Sequence, residues 1–591
     1  MNEGVTPAMA ATRTTWLAGL ALAVLTMAAW WPALSAGFVS DDFIILQRLA
    51  DHGGLADPLS YFGLRHFEYY RPLAFIHLAA NWQFFGRDPA GYHAVALAIH
   101  LVNTLLVFVM SRRLMGAAGA VAAGAVFALH PASHEAVVWM SARFDLMATA
   151  WLLIGLLVAQ WRRGAADVLA AAAFLIAILC KESTIGLPVV VISAVVLLRE
   201  ARAGRVLRLI AYFAGAAVIY TVLRQGAGLP AMGGAARMPK LAALTGLVGF
   251  ALAIAQLGWP RVSAAVTARR RLLGGSAAVV VVASAALGWA GPIAPTIRGA
   301  YDSIAFAGVH LLSPVNVDHM VGTLPHTAWL LGVVLTAGLV AAVLTGWRRV
   351  SDNPDIAFLI LFLVAVLIPV SSMTEGTRYL YLATAPAAML AGRLIESLAA
   401  RRSPAVAAVV VAVLAVNVWQ IESKIGDWRW ASRMTERAVS VIAGPDGTSC
   451  AGRDVVLLTA PVRVHGVYSN LNLEALKWLG GCAPASFNTV VRVGLDAPTI
   501  RSVRHTGQGL TFTATDYTGG FVTSRDWRTF DVRLAGDEPT TLSCPMGTFD
   551  AVKENADLRM RLTFAPGQPP RRVWWFYFSQ GALDAVPVPP Q

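Results

Sequence analysis

Two adjacent carboxylates, Asp41 and Asp42, stand in the stretch FVSDDF directly after a long apolar run. An unperturbed aspartate titrates near ~3.9, so at neutral pH either one is ionised and able to accept a proton from an attacking hydroxyl or to orient it. The bland alternative is a solvated helix end. Further along, HPASHEAVVWMSARFD places His130, His134, Glu135, Arg143 and Asp145 within sixteen residues. Two histidines and a glutamate suggest a metal, but the spacing is not HExxH and Pro131 interrupts the helix such a motif needs. The reading is therefore a polar pocket for substrate hydroxyls with no cofactor, a divalent metal being the alternative.

Lys181 and Glu182 form an isolated charged pair between the apolar stretches ILC and STIGLP. They either neutralise one another at a topological stop, or the lysine meets a phosphate. Arg378 in TEGTRYLY carries a guanidinium fork suited to bidentate phosphate contact, and Tyr379 or Tyr381 can add a hydroxyl donor. A snorkelling interface anchor is the competing role for that arginine. Arg71 in YYRPL is a further cation of the same kind.

These groups must be positioned by elements of an unusual solvent class. The chain has 591 residues, 57% hydrophobic and 14% charged, with a mean hydropathy of +0.60. That is too apolar for a soluble domain. Apolar runs long enough to span a bilayer, about 20 residues each, recur over residues 15–420. The first run is long for a signal peptide and has no small-residue cleavage site before the acidic pair, so it is read as a first span.

A formal charge of +13 raises the possibility of nucleic acid, but the basic residues sit in clusters after apolar runs, at 112–113, 162–163, 199–208, 269–271, 348–349 and 401–402. That pattern marks cytoplasmic anchors and argues against a nucleic-acid face. With a cytoplasmic N-terminus and all six clusters inside, the chain threads the membrane roughly thirteen times, with spans starting near 15, 92, 115, 145, 165, 184, 209, 241, 273, 326, 355, 379 and 403. The loops 36–90, 130–143, 181–184, 291–325 and 371–378 then share the outer, periplasmic face with everything after residue 421. Nearly all the unusual chemistry falls in those loops. A carboxylate pair, cations and tyrosines on one membrane face suit a substrate with an anionic phosphate and a lipid tail.

The fold expectation is mainly α: a polytopic helical membrane domain over residues 1–422, a connecting helix at 423–443, and a strand-rich periplasmic domain at 444–591. Within loop 36–90, the segment 61–85 mixes aromatic, basic and apolar residues and is expected to lie along the membrane surface as juxtamembrane helix. Alternating runs such as 510–515 and 572–578 read as strands, in an α+β or β domain. Cys180 lies within an apolar run, whereas Cys450, Cys482 and Cys544 lie in the last region, where an oxidising compartment permits one bridge.

The stretches FVSDDF, YYRPLAFIHLAANWQFFGRDPAGYHAVALAIHLVNTLL, FALHPASHEAVVWMSARFDLMATA, LCKESTIGLPVVV, HLLSPVNVDH and TRYLYLATAP occur in order across residues 38–390. In this the chain resembles the GT-C superfamily of membrane glycosyltransferases, and most closely bacterial relatives of the transmembrane and tetratricopeptide-repeat O-mannosyltransferases. The resemblance implies a polyprenyl-phosphate sugar donor, here undecaprenyl phosphate in a bacterial inner membrane, and inversion at the anomeric carbon. It implies Asp41 or Asp42 as the base. It also implies that the HP…HE turn, the Lys181–Glu182 turn and Arg378, Tyr379 and Tyr381 line the donor cavity. The acceptor would be a periplasmic glycan, lipid or protein. After residue 423 no 34-residue repeat follows, unlike the eukaryotic members. Two other readings keep the topology: a transporter or flippase for lipid-linked sugars, and a non-catalytic scaffold. The first should show half-to-half repeats and charges within spans, and neither is evident.

Overall fold

The computed structural model describes residues 7–63, 69–161, 165–199, 201–228, 264, 306–308, 310–311, 352–370, 376–399, 404–444 and most of 450–586. The expected spans near 241, 273 and 326, and the loop 291–325 apart from five residues, lie outside the described residues.

The helices in chain order are α1 (Pro7–Trp30), α2 (Asp41–Asp51), α3 (Pro72–Phe85), α4 (Pro89–Leu114), α5 (Ala117–Ala128), α6 (His134–Val138), α7 (Arg143–Ala159), α8 (Ala165–Cys180), α9 (Leu187–Leu197), α10 (Ala203–Gly226), α11 (Pro354–Leu367), α12 (Tyr381–Ala399) and α13 (Pro404–Ala443). Their starts follow local rules. α4 opens with Pro89 at its first position, where a missing N–H costs nothing, and the Asp88 carboxylate accepts from the Ala90 N–H at 3.0 Å.

Among the described residues, five helical segments are long and apolar enough to cross a membrane: Thr14–Ser35, Pro89–Leu114, Met140–Ala159, Ala203–Gly226 and Pro404–Ala443. Shorter apolar helices lie between them. Large apolar side chains stay exposed on α1 (Trp16, Leu17, Leu20), α10 (Leu207, Val218, Val222) and α13 (Val409, Val411, Trp419). In water such stripes invite aggregation, whereas hydrocarbon solvates them. The chain is a multi-pass membrane protein.

Residues 1–34 and 53–424 form one compact unit, and residues 35–52 with 425–591 form another. In the first, α7 packs on α8, α12 on α5, and α4 on both α5 and α7. The segment expected to lie on the membrane surface is, from Pro72 onward, the packed helix α3, which buries Ala74, Phe75, Leu78 and Ala79 and contacts α8 and α4.

The second unit holds the strands. β1 (Asp454–Val464) is the centre of a mixed sheet whose strands run in the order β11 (Ala582–Ala585), β10 (Val573–Ser579), β1, β3 (Ser486–Gly494) and β6 (Tyr517–Phe521), with β10 and β3 parallel to β1. β1 is buried throughout Val455, Val456, Leu457 and Leu458, the continuous apolar run expected of a parallel strand covered on both faces. A second sheet, ordered β4 (Ile500–Thr506), β5 (Gly509–Ala514), β9 (Asp557–Phe564), β8 (Gly547–Glu554) and β7 (Thr540–Cys544), is antiparallel. Its strand β9 alternates buried and exposed residues, as one covered face requires. Between β2 (Val467–Tyr468) and β3, α14 (Leu473–Gly480) is capped by Asn472 and ended by Gly481 at φ 62°. Cys450 and Cys482 are bridged, with Cα atoms 5.9 Å apart. From residue 425 on, α13 buries Ile425, Trp428, Ala431, Thr435, Ala438 and Ile442, a stripe at three- and four-residue spacing.

Candidate active site

In the second unit, the aspartate pair sits on a tight turn. The Asp42 N–H donates to the Val39 carbonyl at 3.0 Å, and the Val39 N–H donates back to the Asp42 carboxylate at 3.1 Å. Ser40 between them has φ 50° and ψ −118°, the only positive φ at a non-glycine among the described residues. This is the first central position of a type II′ turn, where glycine is favoured, and a serine there stores strain on the order of 1 kcal/mol. The turn starts α2, so Asp41 and Asp42 both lie in its first turn, where the helix dipole favours negative charge. Asp42 is buried and Asp41 exposed. Two bonds fix the turn from outside: the Gly37 N–H donates to Ser432 Oγ at 3.1 Å, and Asn472 Nδ2 donates to the Ser40 carbonyl at 2.9 Å. A Cβ at Gly37 would lie 2.9 Å from that of Ser432, so this approach to α13 requires glycine.

In the first unit, three cations expected to meet phosphate come together, each with a carboxylate. Arg71 grips Glu182 with two bonds, Nε at 2.9 Å and Nη2 at 2.6 Å. Lys181 pairs with Asp145. Arg378 meets Glu135 at 3.1 Å through its guanidinium and at 3.1 Å through its own N–H. Tyr379 joins two of the pairs, since the Lys181 ammonium lies 4.7 Å and the Arg378 guanidinium 4.5 Å from its ring centroid, and Arg378 donates to its hydroxyl at 3.1 Å. The adjacent charges Lys181 and Glu182 therefore do not neutralise one another but reach different partners. Lys181 and Asp145 are almost sealed, at 4% and 5% side-chain exposure, whereas Glu182 at 32% and Arg378 at 16% mark the open side.

The charge states follow from burial and pairing. Burial alone would lower the Arg71 guanidinium, but Glu182 and Asp145 outweigh it and hold it above its ordinary value. Burial pushes Lys181 down to about 8, against the pull of Asp145. Gly376 makes the Arg378–Glu135 contact possible: its φ of 100° suits glycine, and a Cβ there would lie 2.9 Å from Glu135 Oε2 and collide with Arg378 itself.

The other expected site residues of this unit, Tyr381, Arg143, His130 and His134, are hydrogen-bonded within it. Tyr381 is fully buried: its hydroxyl lies 2.7 Å from His100 Nδ1 and accepts from Asn103 Nδ2 at 3.1 Å. His100 Nε2 faces the Ala128 carbonyl at 3.2 Å, which only accepts, so Nε2 carries the proton and Nδ1 receives the tyrosine O–H. The Tyr381 hydroxyl is thus committed to the helix core and not offered to a phosphate. Arg143, also fully buried, donates to Asn81 Oδ1 at 3.0 Å and to the Tyr92 carbonyl, tying α7 to α3 and α4.

His130 caps the turn after it, its Nδ1 accepting from the Ala132 N–H at 3.3 Å, and burial pushes its imidazole down to about 4, so it is neutral at pH 7. His134 Nε2 is hydrogen-bonded to the Thr377 hydroxyl at 3.2 Å. With Glu135 on Arg378, the three groups that suggested a metal point into separate bonds. No group of three potential metal ligands converges among the described residues. Asn81, His100, Asn103, Thr377, Ser432 and Asn472 are supporting residues that the sequence analysis did not single out. The His100–Asn103 spacing on one helix face and the asparagine before LEALKWLGG were the available signals.

No family model matches the chain. It is 35% identical over 188 residues to the protein O-mannosyl-transferase Tmtc1 of Drosophila melanogaster, covering 29% of this chain and 22% of that protein. Tmtc2 of the same organism is 34% identical over 180 residues, covering 26% and 19%. Over those residues the chain is similar to these O-mannosyl-transferases. It spans about a fifth of the length of these curated relatives. Among solved structures, the archaeal oligosaccharyltransferase AglB of Archaeoglobus fulgidus, in complex with an inhibitory peptide and a dolichol-phosphate, overlays with a TM-score of 0.43 at 12% identity, over 80% of this chain and 64% of that one.

Proposed function

We propose that the chain is a glycosyltransferase that moves a sugar from a polyprenyl-phosphate carrier, undecaprenyl phosphate in a bacterial inner membrane, onto an acceptor at the periplasmic face. The observation that carries this reading is the convergence of Arg71, Lys181 and Arg378, from segments far apart in sequence, into one desolvated cluster in a relative of O-mannosyl-transferases. Three cations balanced by three carboxylates give no net charge, so a phosphate would be held by the N–H donors and the Tyr379 hydroxyl on the open side, with Arg378 and Arg71 nearest to it. His134, Glu135, Asp145 and Glu182 hold those donors in place.

In the reaction, Asp41 or Asp42 takes the proton of the acceptor hydroxyl as its oxygen bonds to the anomeric carbon. The bond from that carbon to the phosphate oxygen breaks, and the electron pair leaves on the polyprenyl phosphate, inverting the centre. Residues 1–422 would be the catalytic membrane domain, 423–443 a connecting helix and 444–591 a periplasmic domain, with the N-terminus cytoplasmic. The Cys450–Cys482 bridge supports that side, since such bonds persist in oxidising compartments. A glycan, a lipid or a protein would serve as acceptor.

The test is transfer by purified protein from labelled undecaprenyl-phosphate hexoses to a membrane extract, beside Asp41→Asn and Asp42→Asn. The wild type should transfer label, and one substitution should slow it by about 10²- to 10⁴-fold. Carrier binding without transfer would hand the case to the transport or scaffold reading.

A further inference from the structure

Asn472 lies on the loop into α14, far from Asp41 in sequence, yet it bonds in two directions at once. Its Oδ1 accepts from the Ala475 N–H at 2.9 Å and caps α14, while its Nδ2 donates to the Ser40 carbonyl at 2.9 Å. One planar amide therefore fixes a helix start of the C-terminal region against the strained residue that precedes both aspartates. The contact is buried on its Ser40 side, and α2 packs on α14 around it. An unfavourable φ persists only where surrounding bonds over-determine it, and around Ser40 these include the Asp42–Val39 exchange, the Phe43 N–H to the Ser40 carbonyl at 3.4 Å, the Gly37–Ser432 bond and Asn472.

We infer that Asn472 is a positioning residue for the Asp41–Asp42 turn, so that the C-terminal region sets the geometry of the proposed base. The inference rests on the glycosyltransferase reading for its catalytic consequence, but not for the geometry itself. Two chemically different substitutions separate the two bonds of the amide. Asn472→Asp and Asn472→Ser both keep an acceptor suited to capping α14, and neither keeps the amide donor to Ser40. The serine variant adds no charge near the aspartates and controls for the carboxylate of the other. Asn472→Ala removes both bonds and reports on the cap.

The experiment is hydrogen exchange by mass spectrometry on the full-length protein in detergent, combined with the transfer assay. In the aspartate and serine variants, peptides over residues 37–46 should exchange about tenfold faster, the loss of one hydrogen bond, while residues 473–480 keep wild-type protection. The rate kcat should fall by about the same factor with the donor KM unchanged. Wild-type exchange over 37–46 in both variants overturns the inference, and so does faster exchange with an unchanged kcat. If the wild type transfers no sugar, the functional reading fails, and the exchange measurement still decides whether Asn472 holds the turn.

Discussion

In the membrane unit, Arg71, Lys181 and Arg378 are each fixed by a carboxylate whose backbone belongs to another segment, whereas in the second unit Asp41 and Asp42 are placed by main-chain bonds around a strained serine. The first arrangement is rigid because breaking any pair strands a charge away from water. The second is held by single hydrogen bonds, among them one from the Val39 N–H to the Asp42 carboxylate and two between neutral groups. A group that binds an anion benefits from fixed, desolvated charge, while a carboxylate that receives a proton has to be aimed at the acceptor, and in this turn the backbone contributes that positioning.

The largest effect should come from breaking the sealed pair. Lys181→Met leaves the Asp145 carboxylate buried opposite a thioether, which costs about 3–5 kcal/mol, and thermal unfolding in detergent should show a large drop in midpoint. Adding Asp145→Leu removes the stranded charge and should recover most of the loss. A single variant as stable as the wild type would mean that the cluster is no more rigid than the aspartate turn.

How much of this could be read from the chain alone depends on whether the signal is local. The aspartate pair, the proline-interrupted HP…HE turn and the arginine of RYLY are visible as residue types in apolar surroundings, and so is the strand alternation of β5 (Gly509–Ala514). The pairing is not. Arg71 with Glu182 and Arg378 with Glu135 join positions 111 and 243 residues apart, and no spacing rule reaches that far. Local spacing left two readings of Lys181, a mutually neutralising pair with Glu182 or a phosphate contact, and Asp145 as its partner is in neither. Lys181 precedes a 3-10 turn over Glu182–Gly186, and the two side chains reach different partners. Tyr379 and Tyr381 part for a related reason: either tyrosine near the arginine looks like a phosphate donor, but the helix α12 that Tyr381 opens turns its hydroxyl toward His100 and Asn103.

A smaller effect tests the charge of the cluster rather than its rigidity. Below about pH 8 Lys181 is protonated and the three pairs sum to zero; as pH rises through that value the ammonium is lost and the cluster becomes net negative. The KM for an anionic donor should then be flat on the acid side and rise by up to about tenfold per pH unit above it. Lys181→Arg keeps its charge and should flatten the rise. A rise of equal steepness in the arginine variant would assign the titration to another group.

The smallest effect concerns Ser40. Glycine adopts its φ of 50° without strain, so Ser40→Gly gains back the native-state strain but adds backbone freedom to the unfolded chain, and the net should be a stabilisation of about 0.5–1 kcal/mol. Hydrogen exchange over residues 37–46 measures it directly, as slower opening than in the wild type. With the strain removed, the turn should also depend less on its outside bonds, so the loss of protection caused by Asn472→Ser should shrink when both changes are combined. Faster opening in Ser40→Gly would mean that the serine side chain, whose Oγ lies 3.5 Å from Asp41 Oδ1, holds the turn itself, and the contrast between a charge-fixed and a backbone-fixed site would have to be redrawn.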